Sequence, residues 1–380
     1  MIKRNLYLHI GCEKTGTTSI QDCLYMNQAN LRSNGYYFLQ SMGNYNNRKL
    51  ACYSIEDKVN DDLYVSLIKE FGDREKMRKH IVEELENEIE NIDSEIQNVI
   101  ISSEHFSSRL FSTQEIQSLK NLLDNFFEEI KIICYFREQS KTCQSLFSTG
   151  IKSGSSNNFE YYIDQCNLQN PYYNYLNIAK VWADVFGRSN LKIRIFERKN
   201  FKNGSVLNDF FDLISSDLIN FLEIPKPSNE SLNRIGQEIG IAVNLKFNKI
   251  AKTEANLEFK KQILHLLSKN FKGKGRIIER KDFERIYFEF EENNIKLNSF
   301  LGGESVNCFK FELPESDYEY DKPDFYDFLD EILNLIIIEK EYDINHYYKI
   351  KRNLEMLDNL EKINFNSLKL IMKIKHFKKK

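Results

Sequence analysis

The chain has 380 residues, of which 41% are hydrophobic, so it is long enough to bury a large core. Its 53 lysines and arginines are balanced by 56 aspartates and glutamates, and a net charge of −3 provides no overall field for recruiting nucleic acid or a membrane. The seven cysteines are scattered and include no Cys-x2-Cys pair, which argues against a disulfide framework and against a zinc site.

The first predicted unit is a strand, a loop and a helix over Leu6–Gln21. The alternating apolar residues of Leu6–Ile10 predict a buried strand, Gly11–Gly16 a tight loop, and Thr17 the start of a helix. Backbone N–H groups converge at such a junction, and the helix dipole adds partial positive charge there. The loop is therefore predicted to bind an anion.

The loop nearly matches the Walker A pattern of nucleotide triphosphatases, Gly-x4-Gly-Lys-Ser/Thr. Here it reads Gly11-x4-Gly16-Thr17-Thr18, so Thr17 stands where the lysine of that pattern belongs. The lysine lies inside the loop instead, at Lys14. This displacement argues against an ordinary ATPase or GTPase.

Helix and strand patterns then alternate along the chain. Helices are predicted at 19–30, 61–71, 78–92 and 113–127, and strands at 35–39, 98–102 and 131–136. The strand cores are apolar on both faces and the connections are short, which is typical of a parallel sheet with helices on both sides. The predicted fold is a P-loop-like, three-layer α/β/α architecture with a helical C-terminal region.

After residue 150 the strand signals become sparse. We predict a flexible loop at 152–158, an aromatic segment at 159–175 with little periodicity, a helix at 176–186 and a last strand at 191–196. Helices are predicted at 205–222, 231–270 and 281–298. The expected organisation is a main domain over 1–303, with the sheet inside 5–200 and a helical part at 201–303, followed by a mostly helical extension at 304–380.

The segment Lys14–Gln21, Lys-Thr-Gly-Thr-Thr-Ser-Ile-Gln, resembles the loop of sulfotransferases that use 3′-phosphoadenosine 5′-phosphosulfate as donor. The resemblance is greatest to bacterial members of the carbohydrate and capsule type. It implies that the 5′-phosphosulfate is held by Lys14, Thr15, Gly16, Thr17 and Thr18. It also implies that Lys14 neutralises the charge on the leaving phosphate.

A second motif is Arg137-x7-Ser145, with Arg137 at the end of a predicted strand and Ser145 in the helix that follows. The arginine fork suits phosphate oxygens, and the serine hydroxyl adds a donor. In the sulfotransferases this spacing holds the 3′-phosphate, so the resemblance implies that role here. The Asp-Pro that often follows the arginine is replaced by Glu138-Gln139.

A third motif, Ser102-Ser-Glu104-His105, follows a predicted strand at the end where open α/β sheets place their active sites. Sulfuryl transfer to a hydroxyl needs a base, and either Glu104 or His105 could take the proton. A solvated turn with a helix-capping serine is the alternative. No metal is implied for the transfer.

Weaker features keep more than one interpretation. Lys272–Arg276 approximates a loop that closes over the nucleotide in many family members, but it lacks the rest of that motif, and an exposed linker between helices is the favoured interpretation. His9 is expected to be a packed core histidine. The lysine-rich C-terminal residues could make weak peripheral contact with anionic lipid headgroups.

The sequence predicts an enzyme that moves a sulfuryl group from the nucleotide donor to an acceptor hydroxyl or amine. The resemblance implies a glycan acceptor, such as a capsule or lipopolysaccharide sugar. The alternatives are a P-loop nucleotide kinase and a non-catalytic nucleotide-binding protein of the same fold. We expect a cytoplasmic location, because the start of the chain runs directly into a strand and its apolar runs are far shorter than the ~20 residues of a membrane span.

Overall fold

A computed structural model describes residues 3–56, 61–226, 231–249 and 253–314 of the chain. These residues divide into two compact units. The first consists of the described parts of Met1–Thr142, Cys166–Asn229 and Glu284–Glu312, and the second of those of Cys143–Gln165 and Glu230–Phe283, with residues 313 and 314. In the part of the chain that the structure describes, no helix has both the length and the apolarity needed to cross a membrane.

The first unit is built on a five-stranded sheet in which all strands are parallel. Its strands are β1 (Arg4–Gly11), β2 (Tyr36–Phe38), β3 (Asn98–Ser102), β4 (Phe127–Phe136) and β5 (Leu191–Ile195). Their order across the sheet is β2-β3-β1-β4-β5, which places β1 at the centre. The predicted α/β fold with a central parallel sheet is confirmed.

The helices, in chain order, are α1 (Thr17–Met26), α2 (Gln28–Ser33), α3 (Arg48–Ser54), α4 (Asp62–Phe71), α5 (Arg74–Glu90), α6 (His105–Arg109), α7 (Thr113–Leu123), α8 (Gln139–Lys152), α9 (Phe159–Gln165), α10 (Tyr175–Phe186), α11 (Val206–Asp212), α12 (Arg234–Phe247), α13 (Glu254–Asn270) and α14 (Arg280–Phe300). Short 3-10 helices lie at Arg188–Asn190, Arg198–Asn200, Lys202–Gly204 and Leu218–Phe221.

The two faces of the sheet are covered by different helices, because successive strand residues point to opposite sides. On one face, Leu6, Leu8 and their neighbours join apolar residues of α3, α5, α7 and α10 in a single buried cluster. On the other, Tyr7 joins apolar residues of α1, α2 and α11. This is the three-layer arrangement that the apolar strands predict.

The second unit is helical and includes α9, α12 and α13. Phe147 packs against Phe159 with their ring centroids 4.9 Å apart. The amide of Asn244 donates to the carbonyls of Ile151 (2.9 Å) and Ser155 (2.7 Å), so a buried polar side chain joins α12 to the end of α8. Gly240 leaves room for Ile151, whose Cγ2 would lie 2.3 Å from a Cβ at that position.

Several predicted elements differ from those observed. The segment 159–165 is helical although its aromatic residues form helices weakly. The single helix predicted over 231–270 is two helices, of which α12 ends at Phe247 and α13 begins at Glu254. The helix predicted over 205–222 is shorter, because α11 ends at Asp212 and a 3-10 turn follows. The extension predicted at 304–380 lies outside the described residues from 315 onward, and the division at 303 stays a prediction.

Candidate active site

The candidate site lies at the carboxyl edge of the sheet, where neighbouring connections diverge. From β1 the chain leads through α1 and α2 to β2 at one edge of the sheet, whereas β5, the next strand after β4, lies at the other edge. In open α/β sheets a crevice for ligands forms at such a switch point. The loop after β1 and Arg137 after β4 are therefore brought to the same edge.

The loop after β1, residues 11–16, is the predicted anion loop, and three of its residues have left-handed backbone. Gly11, Lys14 and Gly16 all have positive φ, at 81°, 66° and 77°. Left-handed residues next to right-handed ones can turn neighbouring N–H groups toward one side of the chain, as in anion-binding nests. The Thr15 hydroxyl donates to the carbonyl of Cys12 at 2.6 Å and holds the turn closed. Because a non-glycine residue rarely adopts positive φ, Lys14 is held in a strained conformation in the middle of the loop.

Thr17 and Thr18 are the first residues of α1, directly after Gly16, whereas Thr15 lies before Gly16 in the loop. Thr15 and Thr17 are buried, and Thr18 is exposed. The first N–H groups of a helix have no partner within the helix, and no side chain caps α1, because its cap residue is Gly16. These N–H groups therefore lie beside the loop, at the positive end of the helix dipole.

Gly11 brings the loop into contact with the third motif. A Cβ at Gly11 would lie 2.7 Å from both the Cα and the Cβ of Glu104. The backbone N–H of Ser103 also donates to the carbonyl of His9, at 3.0 Å. The structure thus places Glu104 directly against the base of the anion loop, and only glycine fits at position 11.

Arg137 reaches across from the end of β4 to the same loop. Its Nη1 donates to the carbonyl of Lys14 at 3.2 Å, and its guanidinium lies 5.8 Å from the ring centroid of Phe196. Burial lowers the pKa of Arg137, and in the described part of the chain no carboxylate forms an ion pair with it. The guanidinium is therefore half-buried beside the loop with no carboxylate at ion-pair distance among the described residues, although the nearby charge of Glu138 partly opposes the effect of burial.

Glu138 and Gln139 replace the Asp-Pro of the resembling proteins and have structural partners of their own. The Glu138 carboxylate accepts from the backbone N–H groups of Ser140 and Lys141, each at 2.9 Å, and so caps the first turn of α8. Ser145 is half-buried in the second turn of α8 and belongs to the second unit. Its pairing with Arg137 stays a prediction.

Glu104 is the more basic of the two candidate bases. Its Oε2 accepts from Gln21 Nε2 and from Asn46 Nδ2, both at 2.9 Å. Burial of the carboxylate raises the pKa of Glu104, and the nearby charge of Glu13 adds to the increase, while the hydrogen bond from Gln21 opposes it. Such a group binds a proton more readily than an ordinary glutamate.

His105 follows Glu104 in the chain, but its pKa is shifted in the opposite direction. Burial, together with the positive charges of Arg48 and Arg109, lowers the pKa of His105 to about 3. Its Nδ1 is buried and has no hydrogen-bond partner among the described residues. The imidazole is neutral at pH 7 and is a weak base.

The loop that carries Asn46 is fixed to the end of β3 by Asn47, which is completely buried. Asn47 exchanges two hydrogen bonds with the backbone of Ser102, each at 2.9 Å, and its amide donates to the carbonyls of Leu39 (2.8 Å) and Gly43 (3.2 Å). Sequence reasoning missed Gln21, Asn46 and Asn47 as partners of the site. The signal present was the concentration of asparagines at 44–47, which shows no period.

A buried ion cluster supports the same corner. Asp61 accepts from Arg48 (2.6 Å) and from Arg109 (3.0 Å), and Arg109 also approaches Glu13 of the anion loop at 3.7 Å. The Asp61 carboxylate also accepts from two backbone N–H groups at the start of α4, at 3.1 Å and 3.0 Å. These bonds lower the pKa of Asp61 to about 2, against the opposing effect of burial.

Another residue missed by sequence reasoning is Tyr172, in the aromatic segment before α10. Its hydroxyl is buried and has no hydrogen-bond partner among the described residues. Burial raises the pKa of Tyr172, and the nearby negative charge of Glu13 in the predicted anion loop adds to the increase. The phenol therefore lies near the loop and keeps an unused donor.

The remaining predicted residues have ordinary surroundings. His9 is fully buried, contacts Ser102 Oγ at 2.8 Å through Nδ1, and has its pKa lowered to about 3 by burial, as expected of a core histidine. In the second unit, Lys272–Arg276 follows α13, and the N–H of Arg276 donates to Gln237 at 2.8 Å. A role for that loop over the nucleotide stays a prediction.

Comparison with known proteins leaves the family open. No protein-family model matches the sequence. An uncharacterized protein of Archaeoglobus fulgidus is 25% identical over 229 residues, so the chain spans 58% of that relative's length. The crystal structure of a sulfotransferase from Alicyclobacillus acidocaldarius aligns with 80% of this chain and 98% of its own, at a TM-score of 0.39 and 11% identity. A TM-score this low carries no argument about function.

Proposed function

We propose that the protein is a sulfotransferase that moves the sulfuryl group of 3′-phosphoadenosine 5′-phosphosulfate to an acceptor hydroxyl. In this proposal the loop at 14–18 binds the 5′-phosphosulfate, and Arg137 with Ser145 binds the 3′-phosphate. The acceptor hydroxyl gives its proton to Glu104. As the acceptor oxygen bonds to sulfur, the bond between sulfur and the phosphate oxygen breaks, and adenosine 3′,5′-bisphosphate leaves.

The observation that carries the proposal is the unpaired cation of Arg137 beside the anion loop. A half-buried guanidinium without a direct ion pair is costly, and a bound phosphate would lower that cost. Its hydrogen bond to the Lys14 carbonyl ties the arginine to the loop, so two anion-binding groups lie within one site. A nucleotide with phosphates at both the 5′ and the 3′ positions fits two such groups, whereas ATP carries phosphate at the 5′ position alone.

The contrast between Glu104 and His105 supports the assignment of the base. A general base is most effective when its pKa lies near the working pH. Burial moves the pKa of Glu104 upward in that direction and moves that of His105 away from it, to about 3. We therefore assign proton abstraction to Glu104.

Donor binding provides the direct test. Calorimetry on the purified chain should show binding of adenosine 3′,5′-bisphosphate and much weaker binding of adenosine 5′-monophosphate, which lacks the 3′-phosphate. Arg137→Ala should weaken binding of the bisphosphate by about 1.5–3 kcal/mol, the size of a charged hydrogen bond, and should have little effect on binding of the monophosphate. Arg137→Lys should restore part of the loss, because it keeps the charge but not the fork.

Turnover separates the proposal from its alternatives. The ³⁵S label of the donor should pass to the acceptor hydroxyl in the presence of EDTA. Lys14→Ala should reduce the rate of this transfer by about 10²-fold or more. Lys79→Ala is the matched control, since its side chain on α5 is 78% exposed. Transfer from γ-labelled ATP with magnesium would favour a kinase, and equal bisphosphate affinity in wild type and Arg137→Ala would refute the 3′-phosphate assignment.

A further inference from the structure

The predicted anion loop carries a negative charge of its own. Glu13 directly precedes Lys14, and these two are the charged residues of the segment 11–16, so their formal charges cancel. The Glu13 charge acts on surrounding groups, since it adds to the increase in the pKa of both Glu104 and Tyr172. A carboxylate in this position also opposes the binding of an anion to the loop. The loop therefore needs a further positive charge close to Glu13.

A positive charge at short distance from Glu13 is supplied by Arg109. The Arg109 Nη1 lies 3.7 Å from the Glu13 Oε1, and the two side chains are 30% and 22% exposed. Arg109 is the last residue of α6, which begins directly after Glu104, and Glu104 packs against Gly11 of the loop. The third motif and the helix that follows it thus contact the anion loop at two points.

Arg109 is held in place from its other side. Its Nε donates to Asp61 Oδ2 at 3.0 Å, and its Nη1 donates to the carbonyl and the hydroxyl of Ser108 at 3.0 Å and 3.1 Å. These bonds fix the guanidinium before any ligand binds, which lowers the entropic cost of binding. The 3.7 Å approach to Glu13 is longer than a hydrogen bond, so this interaction is an attraction between charges.

The ion cluster around Arg109 has an excess of buried positive charge. Arg48 and Arg109 both pair with Asp61, whose side chain is 1% exposed. Arg48 also pairs with Asp62, but the Asp62 side chain is 87% exposed and its charge is largely screened. Two arginines thus share one buried carboxylate, and Glu13 balances the charge of the second arginine.

We infer that Arg109 is a positioning residue for the donor, because it neutralises Glu13 and thereby allows the anion loop to bind the 5′-phosphosulfate. Arg109 acts through Glu13 and needs no contact with the donor. With Arg109 included, Glu13 and Lys14 are left with one net positive charge, which attracts an anion. This inference rests on the proposed function, because it concerns the donor site of the same reaction.

A double-mutant cycle on the full chain tests the inference. The variants are Arg109→Gln, Glu13→Gln and the double variant. Their affinity for adenosine 3′,5′-bisphosphate is measured by calorimetry at about 0.01 M ionic strength, where exposed charges are weakly screened. We expect Arg109→Gln to weaken binding about threefold to tenfold and Glu13→Gln to strengthen it about twofold to fivefold. In the Glu13→Gln background, Arg109→Gln should change the affinity less than about twofold, because no carboxylate remains to be neutralised.

Arg48→Gln is the matched control. Arg48 pairs with Asp61 as Arg109 does, but within the described residues it forms no ion pair with Glu13. Arg48→Gln should therefore lower the stability of the fold in urea unfolding and leave bisphosphate affinity within about twofold of the wild type. Arg109→Lys keeps the charge and should retain most of the affinity, so it tests the inference even if Arg109→Gln is too unstable to purify.

Five outcomes would overturn the inference. Three concern Arg109: an affinity of Arg109→Gln equal to that of the wild type, an equal loss in the wild-type and Glu13→Gln backgrounds, and a loss in Arg109→Lys as large as in Arg109→Gln. The other two are weaker binding by Glu13→Gln and an equal loss of affinity in Arg48→Gln.

Inorganic pyrophosphate, measured in parallel, separates this inference from the proposed function. It tests the anion loop without the nucleoside, and its affinities should follow the same order among the variants. If the wild type binds pyrophosphate but not the bisphosphate, the sulfotransferase proposal is refuted and the cycle with pyrophosphate still decides the role of Arg109. If the wild type binds neither ligand, both are refuted.

Discussion

Replacing Asp61 by asparagine tests whether the buried ion cluster stabilises the corner of the site. The Asp61 side chain is 1% exposed and pairs with both Arg48 and Arg109. Asparagine keeps an oxygen that can cap α4 through the N–H groups of Leu63 and Tyr64, but it removes the charge. The substitution therefore isolates the ionic contribution from the helix cap.

The size of the effect follows from the pKa of Asp61, which falls from the usual 3.8 to about 2. At about 1.4 kcal/mol for each pKa unit, the ionised form stabilises the fold by about 2 kcal/mol. Because the folded-state pKa is the lower one, this stabilisation is complete above pH 4 and is lost as the pH falls toward 2. The wild type should exceed Asp61→Asn by about 2 kcal/mol at pH 7, with the difference shrinking below pH 4.

Urea unfolding followed by the fluorescence of Trp182 provides the assay. Trp182 is the single tryptophan of the chain and is 1% exposed against the sheet, so it reports the unfolding of the first unit. Asp73→Asn serves as the control, because Asp73 caps α5 in an exposed position and should show little change. Equal stability of Asp61→Asn and wild type at pH 7, or a difference that does not depend on pH, would refute the reasoning.

Two further predictions concern the site itself. Because burial raises the pKa of Glu104, kcat should rise with pH around a pKa above the usual carboxyl value of 4.5. In pH–rate profiles, Glu104→Gln should remove this rise without changing the affinity for the donor. An unaltered profile in Glu104→Gln would place the base elsewhere. Gly11→Ala should lower stability by about 1–3 kcal/mol and also reduce kcat, because its Cβ would meet Glu104 at 2.7 Å. Gly35→Ala shares the positive φ, at 82°, but has no atom within 4 Å, so comparable kinetic losses in both variants would contradict a specific contact with Glu104.

Much of the fold could be predicted from local pattern. The predicted strand at 98–102 coincides with β3, and the helix predicted at 61–71 begins one residue later, with Asp61 as its cap. Apolar runs and capping residues are properties of neighbouring residues, so they are visible in sequence. The predicted boundaries of elements were less accurate where the same residues also fit another kind of element. For example, β4 begins at Phe127 rather than at 131.

The start of α7 was predicted correctly, because the helix begins at Thr113. Ser112 caps it and forms a capping box with Glu115, a signal that lies within four residues of sequence. The aromatic segment after residue 158 was harder, because aromatic residues pack in helices and loops alike and α9 depends on tertiary contacts.

By itself, the sequence determined the strand, loop and helix of Leu6–Gln21, the arginine at the end of a neighbouring strand, and the two candidate bases. Only the tertiary structure decided how these residues meet. Glu104 receives its hydrogen bonds from positions 83 and 58 residues away, and the stacking of Tyr25 with Tyr45 joins a helix to a loop that has no period. Such contacts depend on strand order and on the close approach permitted by Gly11, which local sequence does not encode.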